Sequence, residues 1–131
     1  MGLDMYLFKN KNDYDELIYW RKSNSIQGWF DKNIKGGVQN GFRHKISKSK
    51  IDKLIKCLKE DINYLQSLHL NYDTNEFTGL DKDKLNLKPT QGFFFGNYDV
   101  NICYLDDIKN SLVTLERLDD NIKTFYYCGD W

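Results

Sequence analysis

Apolar positions alternate in the opening segment "GLDMYLF" (2–8): Leu3, Met5 and Leu7 fall on one side, Asp4, Tyr6 and Phe8 on the other. A period of two predicts a strand, and two largely apolar faces predict a central strand covered on both sides. Asp4 would then be a carboxylate in apolar surroundings. From residue 13 the period changes. Asp13 and Glu16 have capping-box spacing, and Tyr14, Leu17, Ile18 and Trp29 recur at helical spacing, so a helix is predicted from Asp13 to about Asn33. "GFRHKIS" (41–47) predicts a short strand. Ser49 and Asp52 form a second capping box, and Ile51, Leu54, Ile55, Leu58, Ile62 and Leu65 make the cleanest amphipathic stripe in the chain, a second helix. Residues 69–92 show no period and predict a long irregular segment, packed down in places by Leu80, Leu85 and Leu87. "GFFFGNYDVNICYL" (92–105) predicts a hairpin turning at Gly96-Asn97. Asp106 would cap a third helix carrying Leu105, Ile108, Leu112 and Leu115, and "KTFYYC" (123–128) closes the chain as a strand. The order β-α-β-α-β-β-α-β predicts an α+β fold, a small mixed or antiparallel sheet with three helices. The 131 residues fit one domain, 1–131.

The predicted first helix suggests chemistry. At 100° per residue, Leu17, Ile18, Arg21, Asn24, Ser25, Gly28 and Trp29 share one hemisphere, so a core-facing stripe begins apolar and turns polar. A buried Arg21 is costly unless paired, and Asp4 in the neighbouring strand is its natural, potentially bidentate partner. Gly28 removes a side chain beside Trp29 and could open a notch. Against this stands a plainer reading: the Asp4–Arg21 pair sets register, and Trp20 and Trp29 are core.

Phe93, Phe94 and Phe95 stand between Gly92 and Gly96. In a strand these rings divide between two faces. If helices cover one face, a ring on the other meets another subunit or lines a pocket. Tyr98, Tyr126, Tyr127 and Trp131 add rings with polar tips. The alternative places all three Phe in the core or beneath residues 69–92.

Composition narrows the field. The formal net charge is zero, which removes the basic footprint of a DNA- or RNA-binding protein and leaves little repulsion between copies, so a homo-oligomer is expected. Cys57, Cys103 and Cys128 are scattered and lack CxxC or His partners at ligand spacing, which predicts neither a metal site nor a disulfide framework. No apolar run reaches membrane-spanning length, and the start carries Asp4 without a basic stretch, so a cytoplasmic location without membrane contact is expected. His44 and His69, the two histidines, lie outside any nucleophile motif, and GxGxxG, P-loop and HExxH patterns are missing. Neither a catalytic group nor a cofactor is predicted.

Four blocks, "MGLDMYL", "YWRKSNSIQGWF", "PTQGFFFG" and "FYYCGDW", together resemble a family of small proteins found widely in bacteriophages, prophages and their hosts, many of which start MGLDMYL. The blocks keep their order from the first residue to the last. The resemblance marks Gly2, Asp4, Trp20, Arg21, Lys22, Asn24, Trp29, Pro89, Gly92, Phe93–Phe95, Gly96 and Trp131 as motif positions. It implies a phage-type accessory protein and brings no activity with it. Such proteins without catalytic residues commonly act by binding. One route is sequestration of a nucleotide-derived small molecule, an anti-defence role in which rings stack on a base and Arg21, Lys22 and Asn24 hold phosphate or ribose. Another is occlusion of a host protein by an aromatic surface. A third is an assembly module whose Phe block is an oligomer interface. An enzyme acting on nucleotides has least support.

Overall fold

The computed structural model describes every residue except Met1, Asp13, Phe93–Phe95, Asn97 and Tyr98. The chain runs β1 (Asp4–Phe8), β2 (Glu16–Arg21), α1 (Asn24–Asn33), β3 (His44–Ser47), α2 (Lys48–Ser67), β4 (His69–Asn71), β5 (Glu76–Thr78), a short 3-10 turn (Lys82–Lys84), α3 (Ile102–Glu116) and β6 (Thr124–Asp130). β2, β1, β6 and β3 form an antiparallel sheet in that order, and β4 pairs with β5 in a separate hairpin. This is the α+β architecture of three helices on an antiparallel sheet that the patterning predicts.

Alternation in β1 has the expected consequence on one side. Leu3, Met5 and Leu7 are fully buried, with Ile18 and Trp20 from β2, Phe125 and Tyr127 from β6, and Ile46 from β3. Against them pack Ile26 and Phe30 of α1, Leu54, Leu58 and Leu65 of α2, and Ile108 and Leu115 of α3. Burial of these side chains supplies the main driving force for the fold. The other side differs from the expectation of two covered faces. β1 is central, yet Asp4 and Tyr6 are only half-buried, and Tyr19 and Arg21 beside them are exposed.

The helix expected over 13–33 is a strand followed by a helix. Glu16–Arg21 satisfies both periods, but Ile18 and Trp20 point inward while Leu17, Tyr19 and Arg21 point out, and these β-branched and aromatic residues favour the pleat. Lys22 takes a left-handed backbone, φ 54°, which breaks the strand before α1 begins. The capping box fails accordingly: Glu16 opens a strand, and Asp13 lies outside the described residues.

The hairpin expected at 92–105 involves Phe93–Phe95, Asn97 and Tyr98, outside the described residues, while 102–105 form the first turn of α3. The cap of α3 is Asn101, whose side chain accepts a hydrogen bond from the Tyr104 amide, rather than Asp106. A hairpin does occur inside 69–92, where Leu70 faces Phe77. Each of its strands has three residues and one apolar side chain, too little for a visible period.

α1 is fastened to the sheet at one close approach. Phe30 stacks on Tyr127 with ring centroids 3.8 Å apart, and the Tyr127 hydroxyl donates to Gln27 Oε1. Gly129 in β6 makes room for that amide, since a Cβ there would lie 2.5 Å from Gln27 Oε1.

Candidate lysine-lined cleft

The structure distributes the sequence-predicted site residues over several places. Asp4 and Arg21 do meet, as cross-strand partners at 3.4 Å, but on the uncovered face of the sheet. Their side chains are 30% and 55% exposed, so the expectation of a buried pair is corrected. Tyr19 also donates to Asp4 Oδ1, at 2.5 Å, and this bond pushes the Tyr19 hydroxyl up from its ordinary pKa. An exposed pair is screened by water, so Arg21→Ala is expected to change the unfolding free energy by less than about 1 kcal/mol in urea denaturation. A loss several times larger would return Arg21 to the core.

Trp20 is core, and its indole N–H donates to Ser111 Oγ at 3.1 Å. Tyr127 is core as well. Trp131 is half-buried and its backbone exchanges two hydrogen bonds with the Asn40 side chain, at 2.7 and 2.9 Å. Lys22 and Asn24 line a small hollow of about 160 Å³ that also contains Asp99 and Asp107. Two carboxylates make that hollow a poor phosphate site. Phe93, Phe94, Phe95 and Tyr98 lie outside the described residues.

The polar stripe on α1 is real and serves another purpose. Ser23, Asn24, Ser25 and Gln27 are all buried. Three of them tether different parts of the chain: Ser23 donates to Asp107 Oδ2 of α3 at 2.7 Å, Asn24 Oδ1 accepts from the Thr90 amide at 3.0 Å, and Gln27 receives Tyr127. These polar groups repay their burial through hydrogen bonds inside the protein.

Thr90 explains the neighbouring glycine. A Cβ on Gly28 would lie 2.0 Å from Thr90 Oγ1 and 3.2 Å from Thr90 Cβ. The notch predicted beside Trp29 is therefore filled by the 86–91 segment lying across α1. Asp61 of α2 holds the same segment: its two oxygens accept the amides of Asn86 at 2.7 Å and Leu87 at 2.8 Å.

Between α1, α2 and this strap lies a cleft of about 510 Å³. Trp29, Leu87 and Pro89 form its apolar wall, Asn33, Asn86 and Gln91 bring amides, and Lys32, Lys53 and Lys88 come from three separate elements. None of the described lining residues carries a carboxylate, although the Asn86 amide donates to Glu60 Oε2 at 3.0 Å just outside the lining. Lys88 pairs with Asp83 at 3.6 Å, whereas Lys32 and Lys53 form no ion pair among the described residues. Cys57 also faces the cleft. Burial raises its thiol pKa, with the Trp29 indole N–H opposing, so the neutral thiol prevails rather than a reactive thiolate.

Sequence reasoning found Trp29, Gly28 and the Pro89 block but missed the three lysines. Positions 32, 53 and 88 share no spacing rule and converge only through the fold. Gly28→Ala is expected to destabilise by up to about 2 kcal/mol, because overpacking against Thr90 costs about 1–3 kcal/mol and a gain of about 1 kcal/mol in helix propensity offsets only part of it. It should displace the strap and weaken ligand binding at the cleft, read by calorimetric titration. Binding equal to wild type would separate the strap from the site.

No family model, curated protein or solved structure matches the chain. The arrangement of residues is therefore the basis for a functional reading.

Proposed function

We propose that the protein binds a phosphate-bearing small molecule of nucleotide type in the lysine-lined cleft and sequesters it without converting it. One observation carries this reading. The chain holds 19 basic and 19 acidic residues, yet among the described residues three lysines and no carboxylate line one concave site. Such a site attracts and holds an anion, because cations focused in a cleft raise the local concentration of negative ligand. Its volume lies within the ~300–1,000 Å³ typical of small-molecule sites. Pro89 and the small exposed part of Trp29 offer surface to a base or sugar while the lysines take the phosphate.

Sequestration is favoured over turnover because the cleft offers no activated nucleophile. In the phage-type setting that the sequence resembles, such a sink would lower the free level of a host nucleotide signal in the host cytoplasm. Occlusion of a host protein is the second reading, favoured by the exposed Tyr19 side chain on the outer sheet face.

A thermal-shift screen against mononucleotides, cyclic nucleotides and NAD-derived nucleotides tests the proposal. At a hundredfold excess of ligand over its Kd, binding adds about 2.7 kcal/mol to stability. Mass spectrometry of the ligand released by heat should return it unchanged. No stabilisation across the panel would overturn the binding reading, and a chemically altered ligand would make the protein an enzyme.

A further inference from the structure

The face of the four-stranded sheet opposite the helices carries an aromatic centre and charged corners. Tyr6 lies between Phe8 and Tyr19, with ring centroids 5.7 and 5.3 Å away, and Arg43 lies over the Phe8 ring at 3.5 Å. The register fixes where the charges stand. Arg21, Asp4 and Asp130 occupy one row across β2, β1 and β6. Two residues along, Tyr19, Tyr6 and Cys128 form the middle row. Two further along β1 and β6, and three along β2 because Leu17 is the extra residue of a bulge, Glu16, Phe8, Tyr126 and Lys45 form the third.

From this arrangement we propose that the uncovered sheet face is the interface of a homodimer, with a second copy of the same chain as its occupant. Consider a two-fold axis lying between two such faces and running along the middle row. It exchanges the first and third rows. Arg21 of one copy then stands over Glu16 of the other, and Lys45 stands beside Asp130, while the Tyr6–Tyr19 rings meet their own equivalents. Every opposite-charge contact occurs twice, as an isologous interface requires. Glu16, Lys45 and Asp130 are exposed in the single chain, and Arg21, although held by Asp4 at 3.4 Å, remains 55% exposed, so each can take a partner from outside. Charges at the rim and rings at the centre match the usual anatomy of an interface. Stacked sheets tolerate the modest rotation between copies that strand twist imposes. A face four strands wide and five residues long measures roughly 19 by 17 Å. That footprint is small beside the ~800 Å² per partner of a standard interface, so the dimer dissociates on dilution. A different host protein on this face would show none of the charge reciprocity.

Sedimentation equilibrium of the full chain over a wide concentration series tests the proposal. Wild type should self-associate to a dimer. Glu16→Arg should weaken the dimer by about tenfold or more, and Glu16→Arg combined with Arg21→Glu should restore it, since the reversed pair meets across the axis again. Lys45→Glu, alone and combined with Asp130→Lys, should repeat that pattern at the opposite corner. All four positions are exposed, and circular dichroism checks that the variants fold. A monomer at every concentration, or a dimer indifferent to both single changes, or a swap that fails to restore, overturns the proposal. The cleft uses other residues, so nucleotide-induced stabilisation should persist in the dissociated variants and can fail independently.

Discussion

Asp61→Ala is expected to lower the unfolding free energy by about 3 kcal/mol, the largest effect on stability foreseen for a polar side chain here. Asp61 is 1% exposed and accepts two backbone amides, those of Asn86 and Leu87. Removing the carboxylate strands both amides and releases the strap whose Leu87 is itself buried and whose Leu87 carbonyl accepts the Tyr104 hydroxyl at 3.1 Å. Hydrogen bonds to a charged group are each worth about 1.5–3 kcal/mol, and the strap's partial release moderates their sum. Burial raises the Asp61 pKa above 3.8, with the two amide bonds opposing. The sign of the pH dependence follows: the folded chain takes up the proton before the unfolded chain does, so this group favours folding more as pH falls through its raised pKa toward 3.8. Asp61→Asn keeps an acceptor oxygen and removes the buried charge. It should cost less than the alanine and flatten that part of the stability–pH curve in chemical denaturation. An Asp61→Ala protein as stable as wild type would show that the strap is held elsewhere.

Lys32→Glu combined with Lys53→Glu is expected to weaken nucleotide binding by at least about a hundredfold, which corresponds to about 2.7 kcal/mol. The double change replaces two cations at the cleft with two anions and leaves Lys88, already paired with Asp83, as the remaining cation of the lining. Like charges facing a phosphate cost several kcal/mol where water is partly excluded. Both lysines are exposed and outside the core, so the unfolding midpoint should stay near that of wild type. Calorimetric titration reads the affinity. Undiminished binding in a folded double variant would place the ligand away from these side chains.

Much of the fold was legible because burial imposes a period on the chain. The stripe Ile51–Leu65 in α2 and the alternation Leu3, Met5, Leu7 in β1 each had one reading. Glu16–Arg21 had two, because Leu17, Ile18 and Arg21 fit a helix as well as Ile18 and Trp20 fit a strand. The pairing with β1 decides between them, and that is a tertiary fact. The β4–β5 hairpin was hidden because a three-residue strand with one apolar side chain has no period to show.

The site was less legible. The sequence brought Asp4 and Arg21 together correctly, but with Arg21 on a core-facing helix stripe and both faces of β1 covered, so an exposed cross-strand pair was expected to be buried. Polar residues on α1 looked like a ligand site, whereas Asn24 and Gln27 bind the strap and Tyr127. Nothing in the sequence singled out Lys32, Lys53 and Lys88. A helix end, the middle of a second helix and a strap become neighbours only when the strap crosses α1 at Gly28.

The most direct measurement is a two-dimensional amide NMR titration of the labelled protein with the nucleotide that gives the largest thermal shift. The cleft account predicts that signals from Gly28–Asn33, Lys53 and Asn86–Gln91 move together along one binding curve while those of β1 and β2 stay in place. Changes confined to Asp4–Arg21, or no localised change at saturating ligand, would contradict it.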